Sequence, residues 1–396
     1  MNTTNPPPSA SDSWQAHAGK LAATLAAARR DPNPDVIDLF TRVPRHLFLP
    51  GVWRDGRHTP VDHDHPYSAD LHTLAYTNTS HMTHQATASD PAGRTSSCSQ
   101  PAVMADFLHV IAERANHRPV RRVLEIGAGT GFHAALIATL TGATVHTLDA
   151  APVIVAEANA ALARADLTDH VTAHLGDGHA GLPAHGPYDL IVATCGVIGV
   201  SPHWLDQLAP HGTILIPLAH GGAHPLAQIE PTTQGPLTGR LRSFADFMTA
   251  TGPLYGDHPG TARTRRLRLP APTHTIALDT GDPTWSEICD LNTYLAGHDT
   301  RTTCLHVENT QPRYGDIGLY DEPTHSAALL QDGAAMGTGP NAPQIATAVA
   351  DLHHAWNHDR RPALDTWRFD LRPHTAADGS VMHVPHTWTR DRSVLD

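Results

Sequence analysis

From Arg121 to Leu218 short runs rich in Val, Ile and Leu alternate with longer stretches whose apolar residues recur every three or four positions. The short runs RRVLEI, ATVHTLD, VTAHL, YDLIVAT and TILIPL have the length and composition of buried strands. Between them FHAALIATLTG, PVIVAEANAALARAD and SPHWLDQLAPHG read as helices. Such alternation predicts an α/β fold built on a parallel, doubly wound sheet. The run PLAQIEPTTQGPLTGRLRSF reads as a hairpin closing the edge of that sheet.

Ahead of it, WQAHAGKLAATLAAARR predicts one helix, and DPNPDVIDLFTRVPRHLFLP a shorter one ending near Pro44. Residues 51–95 show little periodicity and read mostly as loop. Pro101 then fits the first turn of a helix, where a missing N–H costs nothing. Val103, Met104, Phe107, Leu108 and Ile111 follow at the spacing of one buried face. Beyond Gly252 the alternation stops. RTRRLRLPAPTHTIAL looks strand-like, WSEICDLNTYLAG and PQIATAVADLHHAWNHD helical, and WRFDLRPHTAADGSVMHVPH a hairpin turning at ADGS. The expected division is a disordered start at 1–15, a main domain at 16–252, and an accessory, substrate-binding region of mixed α/β character at 253–396.

Composition narrows the class. Lys and Arg number 27 against 39 Asp and Glu, a formal net charge of −12 that disfavours a nucleic-acid partner. Cys98, Cys195, Cys289 and Cys304 stand apart, with no zinc-finger spacing, and read as reduced thiols in a cytoplasmic protein. No apolar run approaches the ~20 residues of a membrane span. VDHDH (Val61–His65) and HGGAH (His220–His224) read as solvated turns, so no metal is expected. RTRRLRL (Arg263–Leu269) is a basic run able to meet an acidic peptide.

The chemistry gathers around VLEIGAGTG. Glu125 ends a strand, and Gly127, Gly129 and Gly131 form the turn into a helix, where missing Cβ atoms let backbone approach a ligand. A glycine turn of this kind also serves nicotinamide dinucleotides. Asp149 at the end of the next strand is placed to accept ribose hydroxyls, and Asp177 with Gly178 in GDG follows the third strand, near an adenine. As a set these residues predict a pocket for S-adenosyl-L-methionine. After YDLIVAT comes CGV rather than an Asn/Asp-Pro-Pro-aromatic run, which argues against methylation of base amines.

With VPRHLFLP (Val43–Pro50), SQP (Ser99–Pro101), VLEIGAGTGFHAALIA, GDGHAGLPAHGPYDLIVAT and LDQLAPHGTILIPL in this order, the chain resembles the protein-L-isoaspartate O-methyltransferases over roughly residues 16–245, apart from 51–95. AYTNTSHMTHQ, TSSCSQP, FADFMTATG and the long C-terminal extension look like the subgroup that accompanies ATP-grasp ligases in graspetide biosynthesis. The resemblance implies a Rossmann-like class I methyltransferase sheet and S-adenosylmethionine-dependent esterification of an aspartate carboxylate. That aspartate would lie in a ribosomally made, ligase-modified peptide, and its ester can close to an aspartimide. Repair of isoaspartate in damaged proteins is the alternative. Partners would be a peptide or protein bearing aspartate or isoaspartate and an ATP-grasp ligase, with neither nucleic acid nor membrane. By the SQP match the family's functional serine falls on Ser99, with Arg45, Ser97 and Gln100 as further substrate-binding candidates. Ser99 as a plain helix cap remains the competing expectation.

Overall fold

The computed structural model describes residues 13–54, 56–63, 69–85, 95–231, 237–256, 267–279, 283–307 and 316–391. Residues 1–12 of the start expected to be disordered at 1–15, Asp64 and His65 of VDHDH, and Arg263–Arg266 of the basic run lie outside these residues, whereas Trp14 and Gln15 are helical. The chain divides into two compact units, Met1–Thr194 with Asp206–Gly212, and Cys195–Leu205 with Thr213–Asp396. The expected border at 252 lies inside the second of these units.

The first unit begins with α1 (Trp14–Ala27), capped by the Ser13 hydroxyl, and α2 (Pro34–Arg42), capped by the Asn33 side chain with Pro34 at its first position. A 3₁₀ turn, Arg45–Phe48, follows. The described part of residues 51–95, read as mostly loop, holds a hairpin of β1 (Gly51–Arg54) and β2 (Arg57–Pro60), the helix α3 (Ala69–Ala75), and β3 (His81–His84), which pairs antiparallel with β4 (Ser96–Cys98) just beyond it. These strands span three or four residues, too short for alternation to show. Burial of Val52, Leu71, Ala75 and Tyr76 anchors the segment.

Then come α4 (Pro101–His117), β5 (Arg122–Ile126), α5 (Phe132–Thr141), β6 (Thr144–Asp149), α6 (Pro152–Arg164), β7 (Val171–Leu175) and β8 (Tyr188–Ala193). The strands lie parallel in the order β8-β5-β6-β7, as the alternation predicts. Phe132 through Ala138 are all buried, so α5 is a core helix rather than a surface one. The carboxyl ends of β5, β6 and β7 lie side by side, which is where open α/β sheets bind ligands.

SPHWLDQLAPHG forms only a short helix at Pro202–Asp206; its second half already belongs to β9 (Leu208–Pro217), within which the chain enters the second unit. There β9, β10 (Leu226–Glu230) and β11 (Leu237–Ser243) form an antiparallel meander. A six-stranded sheet follows, built from β12 (Leu267–Leu269), β13 (His274–Ala277), β14 (Thr302–Val307), β15 (Ile317–Asp321), β16 (Ser326–Gln331) and β17 (Ala334–Thr338), in the order β12-β14-β15-β16-β17-β13. Helix α7 (Trp285–His298) starts in a reciprocal Thr284–Glu287 capping box. Helix α8 (Ala342–His358) buries Ile345, Ala346, Val349 and Ala350 against Leu319, Ala328 and Ala335 of the sheet.

The terminal hairpin, β18 (Trp367–Thr375) and β19 (Val381–Arg390), turns at 376–380 as its sequence predicts. Strand β11 is not an edge, because β18 pairs with it antiparallel. Trp367, Phe369 and Leu371 alternate inward. The Phe369 ring fills the space over Gly239, where a Cβ would collide with it. That pairing joins the meander to the terminal hairpin within the second unit.

His220 of HGGAH is buried, its ring stacked on Trp388 at 3.9 Å and 18°. Burial pushes its pKa down to about 3. An unfolded histidine titrates near 6.5. Below that pH the unfolded chain therefore takes a proton that the fold refuses, and stability falls as pH drops from about 6.5 toward about 3. Urea midpoints at about pH 7.5 and about pH 5 should differ less in His220→Phe than in the wild type. An equal pH loss in both proteins would remove His220 as a cause.

Candidate active site

Strand β5 runs into the glycine loop. Gly127, Gly129 and Gly131 have φ of +97°, +50° and +81°, a region that a Cβ penalises, so the spacing of three glycines is a backbone requirement here. Gly127 N–H donates to Leu148 O at 2.8 Å, and the Thr194 hydroxyl donates to Gly127 O at 2.6 Å. The loop is thereby fixed between the ends of β6 and β8.

Asp149 ends β6 half-buried. Its Oδ1 accepts from Ala151 N–H at 3.1 Å, and its Oδ2 accepts a long bond from Gly129 N–H at 3.5 Å. Burial pushes its carboxyl above the usual range, and the surrounding N–H groups oppose that shift. Gly176 N–H donates to Asp149 O at 3.0 Å, bringing the GDG turn alongside. In that turn Asp177 is exposed, its Oδ1 accepting from His179 N–H at 2.9 Å, and Gly178 is half-buried beside it.

Glu125 behaves differently from the expectation of a cofactor contact. It is fully buried, and both carboxylate oxygens are engaged: Oε2 accepts from the Thr147 hydroxyl at 2.6 Å, and Oε1 pairs with His133 Nδ1 at 2.7 Å. Glu125 supports the loop from below, tying β5 to β6 and to the first turn of α5, and has no face left for a ligand.

The serine cluster is a strand, not a helix cap. Ser96–Cys98 pairs with His81–His84, and His84 Nε2 lies 3.4 Å from Glu157 Oε2 on α6. The N-cap of α4 is Gln100, with no side-chain cap bond of its own. Asn78 does the capping, its Oδ1 accepting from Ala102 N–H at 3.0 Å. One of the helix N-terminal donors expected for a substrate is therefore already taken. Ser97, Ser99 and Gln100 are half-buried, and no hydrogen bond occupies their side chains among the described residues. A Cβ on Gly129 would stand 3.3 Å from Ser97 O, so the serine strand runs directly beside the glycine loop.

Arg45 also departs from the sequence expectation of a substrate-binding residue. Its side chain is fully buried and ends among backbone carbonyls. Nη1 donates to Ala75 O at 2.5 Å and Thr77 O at 3.0 Å; Nη2 donates to Thr79 O at 2.9 Å, Ser99 O at 3.0 Å and, weakly, Cys98 O at 3.5 Å. The guanidinium lies 5.9 Å from the Phe132 ring centroid. It positions Ser99 and the Asn78 turn and cannot reach a substrate carboxylate.

The structure thus brings together the glycine loop, Asp149, the GDG turn and Ser97–Gln100, and moves Glu125 and Arg45 beneath them. Asn78, His133, Thr147 and Thr194 are additions that sequence reasoning missed. Each acts on a partner distant in sequence, through a contact that leaves no local pattern.

Residues 18–253 match the family described as Protein-L-isoaspartate(D-aspartate) O-methyltransferase (PCMT). The chain is 33% identical over 226 residues to a protein-L-isoaspartate O-methyltransferase of Roseiflexus castenholzii, covering 57% of this chain and 86% of that protein. It is 27% identical over 275 residues to the protein of that name from Aeropyrum pernix, covering 65% and 91%. A solved protein-L-isoaspartate O-methyltransferase aligns over 92% of this chain and 98% of its own, at 20% identity and a TM-score of 0.49. The chain belongs to this family and is an S-adenosylmethionine-dependent carboxyl methyltransferase. No helix among the described residues is long and apolar enough to cross a membrane.

Arg45→Lys keeps the charge and loses the planar fork. Carbonyls left unpaired in a buried site cost about 1–3 kcal/mol each. Urea unfolding should show a loss of about 2 kcal/mol or more, with a raised KM for the peptide. Unchanged stability with abolished peptide binding would instead make Arg45 a substrate ligand.

Proposed function

We propose that this chain methylates the free carboxylate of an isoaspartyl residue in a peptide or protein. The observation that carries the reading is the close approach of the serine strand to the glycine loop, Ser97 O lying 3.3 Å from the Cβ position of Gly129, with the Ser97 and Ser99 side chains half-buried and carrying no hydrogen bond among the described residues. The names of the family and of the matched relatives agree with it.

When bound, S-adenosylmethionine supplies an electrophilic methyl group on a sulfonium, open to in-line attack by a carboxylate oxygen. The pocket suits that group. Asp149 offers an anionic acceptor for ribose hydroxyls, Asp177 an exposed one further along the same rim, and the glycines leave room over the loop. A carboxylate is already ionised at pH 7, with a pKa near 4, so no general base is asked of the chain. The chain must instead hold the acceptor in near-attack contact. Ser99 and Ser97 donate O–H bonds to the carboxylate oxygen that does not react, while the N-terminal end of α4 favours negative charge. Asn78 and Arg45 hold that corner in shape.

A second reading, methylation of an aspartate in a peptide cross-linked by an ATP-grasp ligase, draws on the residues beyond the matched stretch. Residues 254–396 supply a six-stranded sheet with two helices, more than methyl transfer itself requires. In that setting the ester would close to an aspartimide.

Purified protein with S-adenosylmethionine and three peptides, followed by mass spectrometry, decides between them. An isoaspartyl peptide should gain one methyl group and then lose methanol, while its aspartyl counterpart stays unchanged. Methylation of a ligase-cross-linked acidic peptide alone would replace the first reading by the second. Retained cofactor binding with no methylated peptide would remove the carboxylate assignment altogether.

A further inference from the structure

Among the described residues one group of three metal-ligating side chains converges, and the methyl-transfer chemistry does not use it: His146, His174 and His185. His146 lies in β6 and His174 in β7. In the parallel register His174 stands beside Leu148, two residues after His146, so both imidazoles leave the same face of the sheet. His185 ends a 3₁₀ turn, Pro183–His185, and completes the triangle. Ring centroids are 4.2 Å apart for His146 and His185, 5.1 Å for His174 and His185, and 5.2 Å for His146 and His174. His146 Nδ1 and His174 Nε2 are 3.0 Å apart, and one nitrogen from each of the three lies within 4.8 Å of the others.

These distances suit a small, nitrogen-preferring cation. Zinc binds imidazole at about 2.0–2.1 Å, so two ligands of a tetrahedral ion stand roughly 3.4 Å apart. His146 and His174, joined by a hydrogen bond at 3.0 Å, are already close to that spacing, and His185 is exposed beside them.

We propose that His146, His174 and His185 bind one divalent cation of the zinc type, with water completing its coordination, and that the ion fastens the Gly176–His185 segment to β6 and β7. Binding itself does not depend on which carboxylate the enzyme methylates. The fastened segment carries Asp177 and Gly178, three and four residues after His174. Its opposite side is held by Gln207, whose Nε2 donates to Ala180 O at 2.8 Å and whose Oε1 accepts from Leu182 N–H at 2.8 Å. A metal would add a side-chain anchor at His185, joining it to β6 and β7.

The test uses chelator-stripped full-length protein titrated with zinc against a chromophoric chelator. Cobalt(II) serves as a second probe through the visible bands of a tetrahedral site. Wild-type protein should take up one tight equivalent, and zinc should raise its melting temperature. His185→Gln, at an exposed position that folding does not need, and His174→Gln should each weaken that equivalent by about tenfold or more and abolish the thermal shift. His358→Asn, on a side chain 92% exposed and remote in sequence, should bind as the wild type does. Wild-type affinity in both His185→Gln and His174→Gln, or no tight equivalent in the wild type, would overturn the proposal.

Discussion

Arg45 is a full positive charge with no access to water, and no carboxylate meets it among the contacts described. Burying an ion is costly unless its donors find partners. Here both terminal nitrogens donate to main-chain carbonyls of two separate segments, while the buried Nε has no partner among the described residues. The 75–79 turn supplies three, and the end of β4 supplies Cys98 and Ser99. Joining them at one guanidinium sets where Ser99 sits and where Asn78 reaches the first turn of α4. The acceptor side of the site depends on this convergence.

Its counterpart lies under the cofactor side. Glu125, Thr147 and His133 form a buried set in which the carboxylate has a partner for each oxygen. The Thr194 hydroxyl supports Gly127 O from the next strand. Two acids on neighbouring strands thus have different work. Glu125 is closed off and structural, whereas Asp149 keeps part of its surface and a carboxyl raised by burial, as suits a ligand contact. The serine strand and the glycine loop approach closely, Ser97 O lying 3.3 Å from the Cβ position of Gly129.

Much of this was legible in the sequence. Period and composition placed the parallel strands, the glycine loop and the helix at Pro101, and the SQP run marked the serine corner. What stayed hidden has physical reasons. Backbone carbonyls leave no trace in residue identity, so the partners of Arg45 could not be read. The strands between 51 and 95 are too short to alternate. The meeting of β11 with β18, which sets Arg240 beside Arg368, is a pairing that only the folded chain reveals. The hairpin turn of β16 and β17 was readable in principle, since Asp332-Gly333 adopts the positive φ values that such a turn demands. The histidine triad draws on residues 28 and 11 positions apart in a chain with 31 histidines, where no spacing stands out.

The most direct measurement is kcat for methyl transfer in Ser99→Ala, taken beside the affinity of S-adenosylhomocysteine for the same protein. A hydrogen bond to a charged group is worth about 1.5–3 kcal/mol, so kcat should fall about 10- to 100-fold while that affinity holds. An unchanged kcat would contradict the placement of the acceptor carboxylate at the serine strand.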